Sequence, residues 1–311
     1  MRTWRFTFTD AEQVPIHTYR WLPEEQVPVR GIVQIAHGLA ETAGRYARFA
    51  ECLTANGYAV YANDHRGHGL TAGSRDRLTD VGAEGFGHMV DAMRLLSDIA
   101  RQEQEGVPLY VMGHSMGTFL TLQYMYRYPG HADGIMLSAP KGPSAVHAVG
   151  YRLAKLMYRL QGAQHHGWLL NRLVTGAFNK PFRPNRTPFD WLTRDEGEVD
   201  RFIADEYCGS SATNALIMGM LGSLVDIFRT EHLLRIPREQ PIYMFAGDQD
   251  PLGENGRSFM QLVHTLTGIG MLDVTYRLYP GGRHEMLNET NRDEVVSHVL
   301  EWLGERSRVL R

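Results

Sequence analysis

The stretch Leu109-Tyr110-Val111-Met112-Gly113-His114-Ser115-Met116-Gly117 decides how this chain is read. Its first four residues form an apolar run of strand length behind Pro108, and its last five fit the pattern G-x-S-x-G. A strand that turns abruptly into a helix strains the central residue and crowds both flanks. Gly113 and Gly117 therefore carry no side chain, and Ser115 Oγ is left exposed as a candidate nucleophile. After Gly117, the residues Thr118, Phe119, Leu120, Leu122, Tyr124 and Met125 show the crowded apolar pattern of a helix packed on a sheet. That pattern stops before Pro129-Gly130. A second strand at 135–137 closes with Ser138-Ala139-Pro140. Strand, turn, helix and strand make a βαβ unit, which predicts a parallel sheet.

Outward from this unit, residues 3–9, 16–21, 31–36 and 58–63 read as strands, and 48–56 and 86–99 as helices. The alternation resumes late in the chain, with strands at 242–246 and 274–279 and helices at 257–266 and 295–303. Between them, at 141–235, the strand signal vanishes. That stretch is rich in Leu, Met, aromatic residues and Arg, with prolines at Pro181, Pro184 and Pro188. The expected organisation is an α/β core in two parts, 1–140 and 236–311, with a helical cap inserted at 141–235 over the strand ends. Within the cap, Trp168-Leu169-Leu170 and the run from Leu216 to Leu221 could line an acyl pocket or pack on their own core.

A serine hydroxyl attacks an ester only with an imidazole to take its proton and an acid to orient that imidazole. Two later segments leave the carboxyl ends of strands, where open α/β sheets place their sites. One is Gly247-Asp248-Gln249-Asp250-Pro251-Leu252 and the other Gly281-Gly282-Arg283-His284-Glu285. The chain order Ser115, Asp250, His284 is that of a doubly wound hydrolase. Asp248 and Asp250 compete for the acid; the G-x-x-D spacing favours Asp250 and leaves Asp248 to satisfy loop backbone donors. A fourth segment, Ala36-His37-Gly38-Leu39, leaves the strand at 31–36, and Gly38 lets it approach a substrate closely. The backbone N–H groups of Leu39 and Met116 are the candidates for holding an oxyanion.

Composition narrows the options further. The 311 residues are 43% hydrophobic and 22% charged with a formal net charge of -3, so nucleic acid is not an expected partner. The N-terminal residues alternate and carry charge like a strand, no run approaches the length of a membrane span, and a cytoplasmic protein is expected. Cys52 and Cys208 read as structural free thiols. His65 and His68 have a metal-like spacing but flank glycines in a turn, so loop structure is the expectation, and no clustered Cys, His and carboxylate set suggests a metal. His114 is expected to pack or hydrogen-bond beneath the turn, and His165-His166 to face solvent. No cofactor is expected.

The sequence resembles the α/β-hydrolase superfamily and, within it, the monoacylglycerol lipase and lysophospholipase-like branch grouped with the serine aminopeptidase S33 families. The matching motifs are His37-Gly38-Leu39-Ala40-Glu41 with Arg45-Tyr46, Asp64-His65-Arg66-Gly67-His68-Gly69, Gly113 to Gly117, Gly247 to Asp250, and Gly281 to Glu285. The resemblance implies a mostly parallel, doubly wound sheet with a cap. It also implies Ser115 as nucleophile, His284 as base, Asp250 as acid, and Leu39 with Met116 as oxyanion hole. The implied substrate is a hydrophobic carboxylic ester such as a monoacylglycerol or lysophospholipid, with transient contact of the cap to membrane surfaces. A thioesterase, a peptidase, a carbon–carbon bond hydrolase or a silent binding protein would share the scaffold. Thr42, Leu70-Thr71 and Thr118 depart from the family pattern, and the expectation is that they alter the acyl pocket or the cap packing.

Overall fold

The eight strands are β1 (Arg2–Thr9), β2 (Pro15–Leu22), β3 (Gly31–Ala36), β4 (Tyr58–Asn63), β5 (Leu109–His114), β6 (Gly134–Ser138), β7 (Ile242–Gly247) and β8 (Val274–Tyr279). They form one sheet in the order β1-β2-β4-β3-β5-β6-β7-β8 in a computed structural model that describes residues 1–174 and 176–309. β1–β2 and β2–β4 pair antiparallel, and every later pair is parallel. The central strands are buried along their whole length and largely apolar because both faces are covered, with Gln34 of β3 the buried polar exception within a strand, donating to Met93 O at 2.8 Å. Ile32 and Ala36 of β3, Val111 of β5 and Met244 of β7 face one layer; Val33, Ile35, Met112 and Phe245 face the other.

Helices α1 (Ala47–Ala55) and, at the far end of the chain, Arg292–Val309 cover the second face with Phe49, Leu53, Val299 and Trp302. The first face is covered by α2 (Gly85–Glu103) and α3 (Met116–Arg127), and by Arg257–Gly268 beyond the insertion, with Met89, Leu96, Phe119 and Leu262 buried between the layers. The fold is therefore an α/β-hydrolase sandwich, as expected. α2 and the last helix outrun the expected 86–99 and 295–303. Their polar end residues continue the helix in solvent, where an apolar stripe gives no signal, and Asp293 and Glu294 sit favourably at the positive end of the last helix.

Between β6 and β7 the described residues contain helices but no strand: α4 (Ala145–Gln161), α5 (Trp168–Val174), α6 (Glu196–Ala204), α7 (Asn214–Ile227) and α8 (Thr230–Leu233). α9 is then Arg257–Gly268 and α10 Arg292–Val309. α7 is bound to the core layer. Its Leu216, Ile217 and Leu224 share the cluster of α2 and α3, and Gln123 Nε2 donates to Ser223 Oγ at 2.8 Å. α4 lies on α7, where Gly150 and Gly222 admit Leu221 and Tyr151 respectively. The segment 190–195 is stitched to the loop after β8: Glu285 N–H donates to Leu192 O at 2.7 Å, Thr193 Oγ1 to Asn288 O at 3.0 Å, and Arg194 pairs with Glu289 at 2.9 Å. α4 and α5 carry the most exposed apolar residues of the stretch between β6 and β7.

Candidate active site

From Leu109 to Tyr126 every residue is buried except Ser115. The backbone explains why. Ser115 stands between β5 and α3 at φ 52° and ψ -119°, a conformation that costs an L-residue energy and is tolerated only where the surroundings enforce it. Enforcement comes from Ser115 N–H to Ser138 O at 2.9 Å and from the Thr118 hydroxyl to Ser115 O at 2.6 Å. A Cβ on Gly117 would run into the Ala36 carbonyl, so only glycine lets α3 start against β3.

The two loops singled out past β7 and β8 bring their side chains to this serine. His284 Nε2 lies 2.9 Å from Ser115 Oγ, and His284 Nδ1 lies 3.0 Å from Asp250 Oδ1. Asp250 Oδ1 also accepts from Leu252 N at 2.9 Å, which fixes the carboxylate plane. With the Asp250 carboxylate as acceptor, Nδ1 carries the proton and Nε2 is left to accept from the serine hydroxyl. Burial opposes a charged ring, but Asp250, with Glu285 and Glu41 adding to it, raises the His284 pKa above the ordinary imidazole value. Asp248 takes the structural role foreseen for it: its Oδ1 accepts from Gly281 N at 2.8 Å and ties the two loops together.

The oxyanion candidates also converge. Gly38 comes so close to the elbow that a Cβ there would lie 3.2 Å from Ser115 Cβ, and Leu39 and Met116 line the same cavity as Ser115 and His284. His37 holds this loop from behind. Its Nε2 accepts from His65 N at 2.9 Å, so its Nδ1 is the donor to Gly38 O at 2.8 Å. Burial pushes the His37 pKa down to about 4 and that of His68 to about 3, keeping both rings neutral in this buried cluster. His65 and His68 are thus loop structure, and His114 packs under the elbow with Nδ1 3.0 Å from Ser138 Oγ. His165 and His166 are exposed, His166 Nδ1 lying 2.8 Å from Ser211 O.

Two features escaped the motif reading. The first is Trp191, whose ring centroid lies 4.9 Å from that of His284, while His114 flanks His284 at 5.0 Å. The second is a buried ionic bridge across the site. Arg45 donates to Glu41 at 2.6 Å and to both oxygens of Glu285 at 2.8 and 2.7 Å, and Glu41 in turn accepts from Gly38 N at 2.5 Å and from the Tyr46 hydroxyl at 3.0 Å. One guanidinium therefore links the loop of Leu39 to the residue after His284. The stretch between β6 and β7 also reaches the loop of Leu39, Gly209 N–H donating to Ala40 O at 2.9 Å.

Ser115 opens into a cavity of about 940 Å³. Phe119, Leu153, Leu170, Met220, Leu221 and Leu224 line it, so part of the candidate acyl stripe faces the serine while Leu216 and Ile217 are spent on the core. Thr42 and Leu70 lie elsewhere, in a second cleft between β1, β2 and α6, and Thr71 holds the 64–71 turn by donating to Asp64 O. None of these residues lines the cavity beside Ser115; Thr42 and Leu70 instead border α6 of the 141–235 stretch across that cleft, and Thr118 holds the elbow through Ser115 O.

A model of the family described as serine aminopeptidase, S33 matches residues 27–291. The chain belongs to this family. Among its relatives is the monoacylglycerol lipase of Mycolicibacterium smegmatis, 30% identical over 285 residues, which are 91% of this chain and 90% of that protein. The human monoglyceride lipase is 22% identical over 284 residues, 89% of this chain and 84% of that one. Among solved structures, a thermostable carboxyl esterase from Bacillus coagulans in complex with glycerol superposes with a TM-score of 0.91 at 25% identity, covering 99% of both chains. A soluble variant of the Saccharomyces cerevisiae monoglyceride lipase in complex with a substrate analog gives 0.73 at 18% identity over 97% and 94%.

Proposed function

We propose that Ser115 is the nucleophile, His284 the base and Asp250 the orienting acid of an ester hydrolysis whose substrates are monoacylglycerols and other esters bearing one long acyl chain. The chain is a carboxylic ester hydrolase, consistent with the monoacylglycerol lipases and the carboxyl esterase it resembles. The observation that carries the assignment of roles is the unbroken line Ser115 Oγ, His284 Nε2, His284 Nδ1, Asp250 Oδ1 at the floor of an apolar cavity. His284 takes the hydroxyl proton as Oγ bonds to the ester carbonyl carbon. The amides of Leu39 and Met116 receive the oxyanion. The carbonyl re-forms as His284 returns the proton to the departing alcohol, and water repeats the sequence to free the acid and Ser115.

The insertion at 141–235 serves in this reading as the cap that supplies the acyl wall. On α4 and α5, Val146, Leu160 and Trp168 are 72, 71 and 67% exposed, and Arg152, Lys155, Arg159 and Arg172 stand among them in solvent. Apolar side chains with basic neighbours suit an anionic lipid surface. No helix among the described residues is long and apolar enough to cross a membrane, so the contact is peripheral. The free thiols of Cys52 and Cys208 suit a cytoplasmic site of action. Chain-length profiling tests the substrate assignment: kcat/KM rises from acetyl to medium and long acyl esters of glycerol, and rises again when the ester is presented in anionic rather than neutral vesicles. A preference for acetyl or propionyl esters would remove the lipid assignment, and indifference to vesicle charge would remove the docking surface.

The raised His284 pKa sets the pH dependence. The neutral ring is the working form, so activity is full above its pKa and falls tenfold per pH unit below it. The acid limb of kcat/KM is expected to have its midpoint above about 6.5 and to move downward in Asp250→Asn, which withdraws the charge that raises it. A limb with its midpoint below about 6 in the parent enzyme would contradict the electrostatics described here.

A further inference from the structure

One imidazole in the cavity wall takes no part in any of this. His147 lies in the first turns of α4, 5% exposed, and lines the same cavity as Ser115 and His284. Among the described residues neither its Nδ1 nor its Nε2 has a hydrogen-bond partner. A buried polar group left unmatched is destabilising, and native structures keep few of them without a reason. The charges of Lys141 and Glu254 act on it, and Lys141 and Leu252 also line the cavity. Lys141 is already engaged, donating to Leu252 O at 3.0 Å and pairing with Glu254 at 3.1 Å. Burial, reinforced by the Lys141 ammonium and only partly countered by Glu254, pushes the His147 pKa down to about 4. The ring is therefore neutral at pH 7 and offers one N–H donor and one bare nitrogen acceptor.

Resting on the ester-hydrolase reading above, we propose that His147 is a specificity-determining residue that hydrogen-bonds a hydroxyl group carried by the ester substrate. A hydroxyl is both donor and acceptor, so it matches either nitrogen of a neutral imidazole, whereas a plain hydrocarbon chain leaves both unmatched. Sites built to bond a hydroxyl reject analogues that lack it far more strongly than apolar pockets reject an added one. The hydroxyl has two possible sources, the glycerol of a monoacylglycerol or a hydroxylated acyl chain. The chemistry of recognition is the same for both.

The test compares three esters of one acyl length: the glyceryl monoester, the methyl ester, and the methyl ester of the hydroxylated acid. The parent enzyme is set beside His147→Phe, which keeps a ring without polar atoms, and His147→Gln, which keeps a donor and an acceptor. The expected result is that the kcat/KM ratio of a hydroxylated ester to the plain methyl ester falls about tenfold in His147→Phe, chiefly through KM, and recovers in His147→Gln. Loss confined to the glyceryl ester assigns the hydroxyl to the alcohol, and loss confined to the hydroxylated acid assigns it to the acyl chain. Ratios unchanged in His147→Phe, or a uniform fall on all three esters, would overturn the proposal and leave His147 a packing residue. A parent enzyme that hydrolyses none of the three would instead count against the ester-hydrolase reading itself.

Discussion

Ser115→Ala is expected to lower kcat on an ester such as p-nitrophenyl butyrate by about 10⁵- to 10⁶-fold while leaving the thermal transition nearly where it was. The activity loss is large because the whole reaction runs through one bond. In the roles proposed for them, His284 as proton acceptor and the amides of Leu39 and Met116 have no attacking atom to serve without Oγ. A residual rate above water remains because the cavity and the oxyanion donors are intact. The stability change is small because the substitution removes one oxygen and no Cβ. Ser115 Oγ has His284 Nε2 as its partner, while the elbow is held by the backbone of Ser138 and the hydroxyl of Thr118. A fluorophosphonate that labels the parent protein on the peptide containing Ser115 should leave the variant unlabelled. Turnover within tenfold of the parent would mean that another group attacks, and the roles assigned here would fall.

The elbow was legible because its glycines are demanded by collisions that any chain would suffer at that place. β5 must turn into α3 within one residue, and the Ala36 carbonyl stands where a Gly117 side chain would go. The strands of the core were legible for a similar reason: both of their faces are covered, so an unbroken apolar run is the direct trace of burial. Asp250 could be placed because it follows such a run, β7, by a few residues, and His284 because it follows the alternating edge strand β8. Trp191 could not. Its position over His284 depends on the pairing of 190–195 with the loop after β8, a seam between segments about 95 residues apart with no periodicity in either. The role of Arg45 was hidden in another way. Glu41 and Arg45 are four apart and were quoted as part of one motif, but the second carboxylate, Glu285, is 240 residues downstream and reaches the guanidinium only through the fold. The orphaned His147 is likewise invisible in sequence, since one histidine in a helix carries no mark of what its ring will fail to meet.

Arg45→Met is expected to destabilise the protein by about 3–5 kcal/mol, the largest effect on folding foreseen for a single substitution here. Methionine fills much of the same volume but leaves the carboxylates of Glu41 and Glu285 buried at 4 and 5% exposure without their cation. The linkage to pH should invert. Burial alone would raise the Glu285 pKa, but Arg45 holds it down to about 2. In the parent, that pairing contributes stability above the unfolded carboxylate value near 4.3 and loses it as pH falls toward about 2. In Arg45→Met the cation is gone, burial dominates, and the folded state binds the proton more tightly than the unfolded one, so the variant gains stability as pH is lowered toward about 4.5. The double variant Arg45→Met/Glu285→Gln should recover a large part of the loss, because breaking a buried ionic pair is costlier than replacing both members. Activity should fall with Arg45→Met as well, because Glu41 both meets Arg45 and accepts from Gly38 N, and a loosened Glu41 frees the loop that carries the Leu39 amide. Melting curves of the three proteins between pH 5 and 8 decide the matter. A single variant that melts within about 2 °C of the parent, or whose stability rises with pH, would show that Arg45 is not the cation on which both loops depend.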